Sequence, residues 1–202
     1  MTFKKWLFLF VTTLLVGGLT ILVTSTLINW EGFQAITSSA EEFLAGAIFL
    51  FAVGMTFSAI SQMGFFAYLL VNRLALGLFK SKKVWHYTQI VLILFTFFDL
   101  VYFRYTAFAT HQETWLNYVI LPAVLLIVSL VFAYIKAQQT NENAFVPALF
   151  VLFVVTTVEA VPALVINDPI WVMLMLCTLF VCNVWQLLWL HRLTAEPKKK
   201  SA

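Results

Sequence analysis

The run WLFLFVTTLLVGGLTILVTSTLI, from Trp6 to Ile28, holds no charged residue. A helix needs about 20 apolar residues to cross a hydrocarbon layer of about 30 Å, so this run alone is long enough to span a membrane. Lys4 and Lys5 precede it, as they would a signal peptide. Its apolar stretch outruns the about 7–15 residues of an h-region, and no A-x-A-like site follows, so we expect a retained first span.

The same pattern recurs along the chain. Spans are expected near residues 6–28, 43–64, 84–104, 114–135, 144–166 and 170–190. The third and fifth each carry one carboxylate, Asp99 and Glu159. Phe43 to Asn72 is uncharged but longer than one span requires. We read it as a span ending near Ser61–Gly64, followed by an interfacial stretch over 65–80. Making that stretch a seventh span would put Lys80, Lys82 and Lys83 on the wrong side of the membrane.

Composition supports the same class. The chain has 202 residues, 62% hydrophobic and 10% charged, against about 45–50% and 25% in soluble domains. A mean hydropathy of +0.95 leaves too little polar surface to cover a soluble core, and it excludes disorder. No alternating segments of about ten residues suggest a barrel, and open sheets cannot cross lipid. The fold class is all-α: a polytopic integral membrane protein, one membrane domain built as a bundle of six transmembrane helices.

Of the 12 Lys and Arg, all but Arg104 fall on the side of the N-terminus when six spans are threaded. Positive loops stay inside, so the expected topology is N-in/C-in in the cytoplasmic membrane, with residues 191–202 as a basic cytoplasmic tail. Glu31, Glu41, Glu42, Glu113 and Asp168 then lie outside.

Charged groups within spans are the first candidates for a site. A carboxylate at a helix centre costs roughly 2.5–3.5 kcal/mol on insertion scales, so Asp99 and Glu159 need partners or protons. Both fall roughly 8–11 Å below the outer rim at about 1.5 Å per residue. Arg104 is the sole cation on that side. Asp99, Arg104 and Glu159 are therefore expected as an outer-leaflet polar cluster, acting as an interhelical clamp or a sensing site. Pro162, three residues after Glu159, is placed to kink that helix.

On the second span Gly46, Gly54, Ser58 and Gln62 make one face of small and polar residues. Such a face serves helix packing or docking of a membrane partner. Gly17-Gly18 marks another close approach or a bend. Lys80, Lys82, Lys83 and Lys198, Lys199, Lys200 suit contact with anionic lipid headgroups. No domain backs these charges for nucleic-acid binding.

Catalytic and cofactor signals do not accompany these groups. Cys177 and Cys182 share a helix at a spacing of five, too far apart to bridge. There is no C-x-x-C, H-E-x-x-H, G-x-S-x-G, P-loop or G-x-G-x-x-G pattern. Glu41-Glu42 lacks the arginine four residues on that intramembrane CAAX-type proteases carry; Gly46 stands there. His86, Gln89 and Ser81 near the inner surface have no carboxylate beside them in sequence. The chain is expected to be no enzyme and to hold no metal or cofactor.

Two polar-punctuated runs carry a resemblance, Ile60–Tyr68 (ISQMGFFAY) and Phe97–Tyr105 (FFDLVYFRY). They resemble the KbaA family, small polytopic membrane proteins of spore-forming Gram-positive bacteria. Length, six spans and a basic tail are similar too. The resemblance implies an accessory activator of a membrane sensor histidine kinase of the KinB type, feeding the sporulation phosphorelay. It brings no catalytic or ligand residue with it. Two other readings stand beside it. One is the substrate-binding membrane subunit of a vitamin-like importer, although the first span lacks the A-x-x-x-A docking pattern. The other is an integral-membrane lipid enzyme.

Overall fold

The structure is a computed structural model and describes residues 3–28, 40–79, 81–109 and 114–194. These residues are helical, with no strand among them. Helix α1 (Phe3–Ile28), α2 (Ala40–Phe79), α3 (Lys82–Phe108) and α4 (Trp115–Gln139) follow in order. The fifth span is built from pieces: a 3-10 turn (Glu142–Ala144), α5 (Phe145–Phe150), a π turn (Val151–Val155), α6 (Thr156–Glu159) and α7 (Val161–Ile166). Helix α8 (Pro169–Thr194) closes the described chain. Six helical segments are long and apolar enough to cross a membrane, so this is a multi-pass membrane protein.

The second span departs from expectation. Helix α2 does not break at Ser61–Gly64; its 40 residues run unbroken to Phe79. At about 1.5 Å per residue that is about 60 Å, twice the hydrocarbon thickness. Nothing local stops it: Gly64 keeps helical geometry, and the stretch to Phe79 is rich in Leu and Ala and has no proline. The stretch expected to lie at the interface therefore continues the same helix.

The fifth span departs too, by fragmentation. Pro162 has no N–H to give and its ring crowds the carbonyl of Val158, so the helix breaks at Ala160. One turn earlier the ladder widens into the π turn, where the Thr156 hydroxyl donates to the Val151 carbonyl at 3.3 Å. The span ends at Asn167, whose φ of 55° is left-handed, a conformation asparagine tolerates. Asp168 then caps α8, its Oδ1 accepting the Trp171 N–H at 2.7 Å, with Pro169 in the first helical position.

Packing sorts the helices into two groups. Helices α1, α2 and α8 form one tight group, and α3, α4 and α5 form another. The fifth span crosses between them. Its first half packs on α3 and α4, and α6 and α7 turn to α2 and α8. Helix α8 is central, with 61% of its most apolar window buried, whereas α3 is peripheral at 11%. The start of α1 meets the end of α8 at one end of the bundle, where Lys5 Nζ donates to the Leu193 carbonyl at 2.7 Å. Lys136 joins them there, donating to Leu187 O at 2.7 Å and lying 3.1 Å from His191 Nδ1. Two lysines thus bond to carbonyls in the last two turns of α8, the end where cations are favoured.

Candidate functional site

The centre of the tight group is polar. Asn183 and Gln186 are three residues apart on α8 and share its inward face. Asn183 Nδ2 donates to Glu159 Oε2 at 2.7 Å and to Thr156 Oγ1 at 3.0 Å. Its Oδ1 accepts the Ser61 hydroxyl at 2.9 Å. Gln186 Nε2 donates to Ser61 Oγ at 2.9 Å and to the Cys182 carbonyl at 3.3 Å. All these side chains are buried. Asn183 lies 14 residues from Pro169, about 21 Å along α8 at 1.5 Å per residue, which is mid-span.

Two acceptors in this network stay open. Glu159 Oε1 and Gln186 Oε1 are buried with no hydrogen-bond partner. Glu159 Oε1 instead lies where a side chain on Gly64 would stand. The glycine makes the space that admits the carboxylate between α2 and α8. A buried acceptor without a donor costs about 1–3 kcal/mol, so the network holds a carboxylate able to accept one more donor.

The small-residue face of α2 is filled from within. A Cβ on Gly54 would stand 2.5 Å from Gly17 O and 2.9 Å from Gly18 Cα, so α1 and α2 touch backbone to backbone. Ser58 Oγ donates to Thr13 O at 2.7 Å, and Gln62 Nε2 reaches Phe10 O and Ser58 Oγ, each at 3.4 Å. Gly54, Ser58 and Gln62 are therefore a packing seam with α1, closed to an outside partner in this arrangement. Gly46 lies half-buried nearer the start of α2. The Gly17-Gly18 pair serves close approach, and α1 runs through it unbroken.

Asp99, Arg104 and Glu159 do not come together as one cluster. Asp99 and Arg104 line a groove of about 680 Å³ between α3 and the α6–α7 pair. Arg104 Nη2 donates to Asn167 Oδ1 at 2.8 Å, and its guanidinium carbon lies 6.0 Å from the Tyr118 ring centre. Asp99 is half-buried. Glu159 belongs to the other face of its segment. The π turn and the break before Pro162 swing it toward Asn183, while its neighbour Val158 faces the groove. Similar depth implied a shared site; the side chains divide it in two, Glu159 to Asn183 and Arg104 to Asn167.

Lys82 and Lys83 are exposed at the start of α3, whereas Lys80 and Lys198, Lys199 and Lys200 lie outside the described residues. Nearby, Gln89 Nε2 donates to the Tyr68 hydroxyl at 2.9 Å and Trp85 Nε1 to Asn72 Oδ1 at 2.7 Å, tying α3 to α2. The sequence reading passed over Asn183, Gln186 and Thr156. A signal was there: two amides three residues apart in an otherwise apolar span are expensive in lipid and call for partners.

Comparison with known proteins bears on what this bundle serves. No solved structure matches it. A curated relative, the KinB-signaling pathway activation protein of Bacillus subtilis (strain 168), is 39% identical over 189 residues, covering 93% of this chain and 96% of the relative. The family model for KinB-signalling pathway activation in sporulation matches residues 17–193, which take in the polar core, the seam and the groove alike. The chain belongs to the KbaA family.

Proposed function

We propose that this protein is an accessory component of the cytoplasmic membrane, N-in and C-in, that activates a KinB-type sensor histidine kinase pathway feeding sporulation. The observation that carries this reading is the match to a pathway-activation relative along nearly the full length of both chains. The role is non-catalytic: the protein biases the kinase through helix contacts inside the bilayer. A two-state kinase needs only a few kcal/mol of differential contact to shift its population, and packing with intramembrane hydrogen bonds supplies energies of that order.

The contact surface we assign is the inner part of α2. The seam of Gly54, Ser58 and Gln62 is occupied by α1, so it does not serve. Leu70, Leu74 and Leu78 repeat every four residues and are 60%, 57% and 79% exposed. They form one unpaired stripe that leads to Lys82 and Lys83. A partner helix laid on this stripe would end beside the basic turn.

The test is deletion in the native host, with a phosphorelay-driven sporulation reporter read beside the abundance of the membrane kinase. Reporter output should fall with kinase level constant, and an added copy should restore it. Unchanged output where that kinase is the sole input refutes the reading. A fall in kinase abundance matching the fall in output replaces activation by stabilisation. Leu74→Glu should lose activation while the protein still accumulates in the membrane.

A further inference from the structure

The groove between α3 and the α6–α7 pair has a chemistry that the signalling role leaves unused. It exists because the fifth span leaves α3 at the π turn and crosses to α2 and α8. Its walls are Phe95 and Phe103 on one side and Val158 and Val161 on the other. Phe103 and Val158 are 62% and 63% exposed, so the groove opens sideways toward the hydrocarbon. From Phe95 to Phe108 its α3 wall runs 13 residues, about 20 Å at 1.5 Å per residue. That matches the depth of one leaflet, about half of a hydrocarbon core of about 30 Å, with some tilt. Its volume of about 680 Å³ falls inside the range of about 300–1,000 Å³ typical of small-molecule sites.

Two opposite charges and three threonines stand in this largely apolar trough. Asp99 and Arg104 both line it, and no ion pair joins them. Arg104 donates one N–H to Asn167, and its Nε is buried with no partner. Asp99 has no hydrogen bond or ion pair with a described residue. Asp99 and Arg104 stand five residues apart on α3, about 7.5 Å along its axis at about 1.5 Å per residue. A lone carboxylate and a half-satisfied guanidinium beside hydrocarbon are costly unless something supplies both an anion and a donor cation.

We infer that the groove binds one amino-phospholipid from the surrounding leaflet, a phosphatidylethanolamine, with its phosphate on Arg104, its primary ammonium on Asp99 and an acyl chain along Phe95–Val158. Charge complementarity selects this occupant. A phosphatidylglycerol brings the phosphate but no cation for Asp99. A phosphatidylcholine brings a cation whose methyl groups leave no N–H to donate. A fixed lipid would brace α3 against the fifth span where the protein itself leaves a gap.

The full chain is reconstituted in vesicles of equal phosphatidylethanolamine, phosphatidylglycerol and phosphatidylcholine, extracted in mild detergent, and its retained lipids counted by mass spectrometry. Phosphatidylethanolamine should be enriched about tenfold over either competitor, as one charge-assisted hydrogen bond allows. Asp99→Asn should bring the ethanolamine-to-glycerol ratio near one, and Val161→Trp should lower retention of all three. The exposed pair Lys82→Ala and Lys83→Ala should leave the preference intact. Thermal unfolding checks that each variant is folded; if Val161→Trp is not, the Asp99→Asn ratio decides. Equal retention of the three lipids by the wild type overturns the inference. So does preferred retention of phosphatidylglycerol, or an unchanged ratio in folded Asp99→Asn protein.

Discussion

The α1–α2–α8 group and the gap between α3 and the fifth span are made from the same apolar alphabet, yet they solve the membrane problem in opposite ways. In the first, glycines remove side chains so that backbones meet, and polar groups bond to each other across the seam. In the second, exposed Phe and Val side chains wall an open trough, which the polar groups Asp99 and Arg104 also face. Lipid gives helices little hydrophobic reason to associate, so contact must come from close packing and hydrogen bonds. Where small residues and amides are present the bundle closes; where bulky ones replace them it stays open.

Four substitutions put that contrast at risk, and their effects should decline in order. Gly54→Val should cost most, about 3 kcal/mol or more, because its Cβ meets the Gly17 and Gly18 backbone, which cannot step aside. Unfolding of the purified protein in mixed micelles measures it; a loss below about 1 kcal/mol would mean that the seam is looser than the structure shows.

Asn183→Ala should follow, at about 2 kcal/mol, since it removes the one donor to Glu159 Oε2 among the described residues and strands that carboxylate. A double-mutant cycle with Glu159→Gln isolates the pair. Coupling near zero would show that the two side chains are merely neighbours.

Asn167→Ala should cost about 1 kcal/mol, from strain at positive φ and the lost bond to Arg104. Asn167→Gly loses the bond but relaxes the backbone, so it should cost less than the alanine variant. The reverse order would show that the left-handed backbone at this position carries no strain.

Val158→Phe should cost least, within about 0.5 kcal/mol, although it too adds bulk. Val158 is 63% exposed on the groove wall and meets no opposing helix. A large loss at this position would erase the difference between the two regions.

Much of this was readable in advance, and the pattern of success follows the physics. Each span announces itself because about 20 consecutive residues must all be apolar to cross lipid, a constraint that acts locally. The seam residues Gly54, Ser58 and Gln62 were legible as one face because helical spacing puts them there. Asp99 and Glu159 stood out because an intramembrane carboxylate is rare. Their partners were not legible. Similar depth below the outer rim grouped Glu159 with Asp99 and Arg104, whereas in the structure, beyond the π turn at Val151–Val155, it meets Asn183. The long α2 was missed for a related reason: its polar interruption at Ser61–Gly64 looks like an end, although Ser61 bonds to Asn183 of α8 and Gly64 gives room to Glu159.

The sequence by itself determined the class, the number of spans and which few residues would be costly in lipid, because solvation by hydrocarbon judges each residue on its own. Only the tertiary structure decided who meets whom. It put Glu159 with Asn183, Gly54 with Gly17 and Arg104 with Asn167, and it left Asp99 facing an open groove. Those pairings depend on where a helix widens, breaks or approaches a neighbour, and they are settled by contacts between segments far apart in the chain.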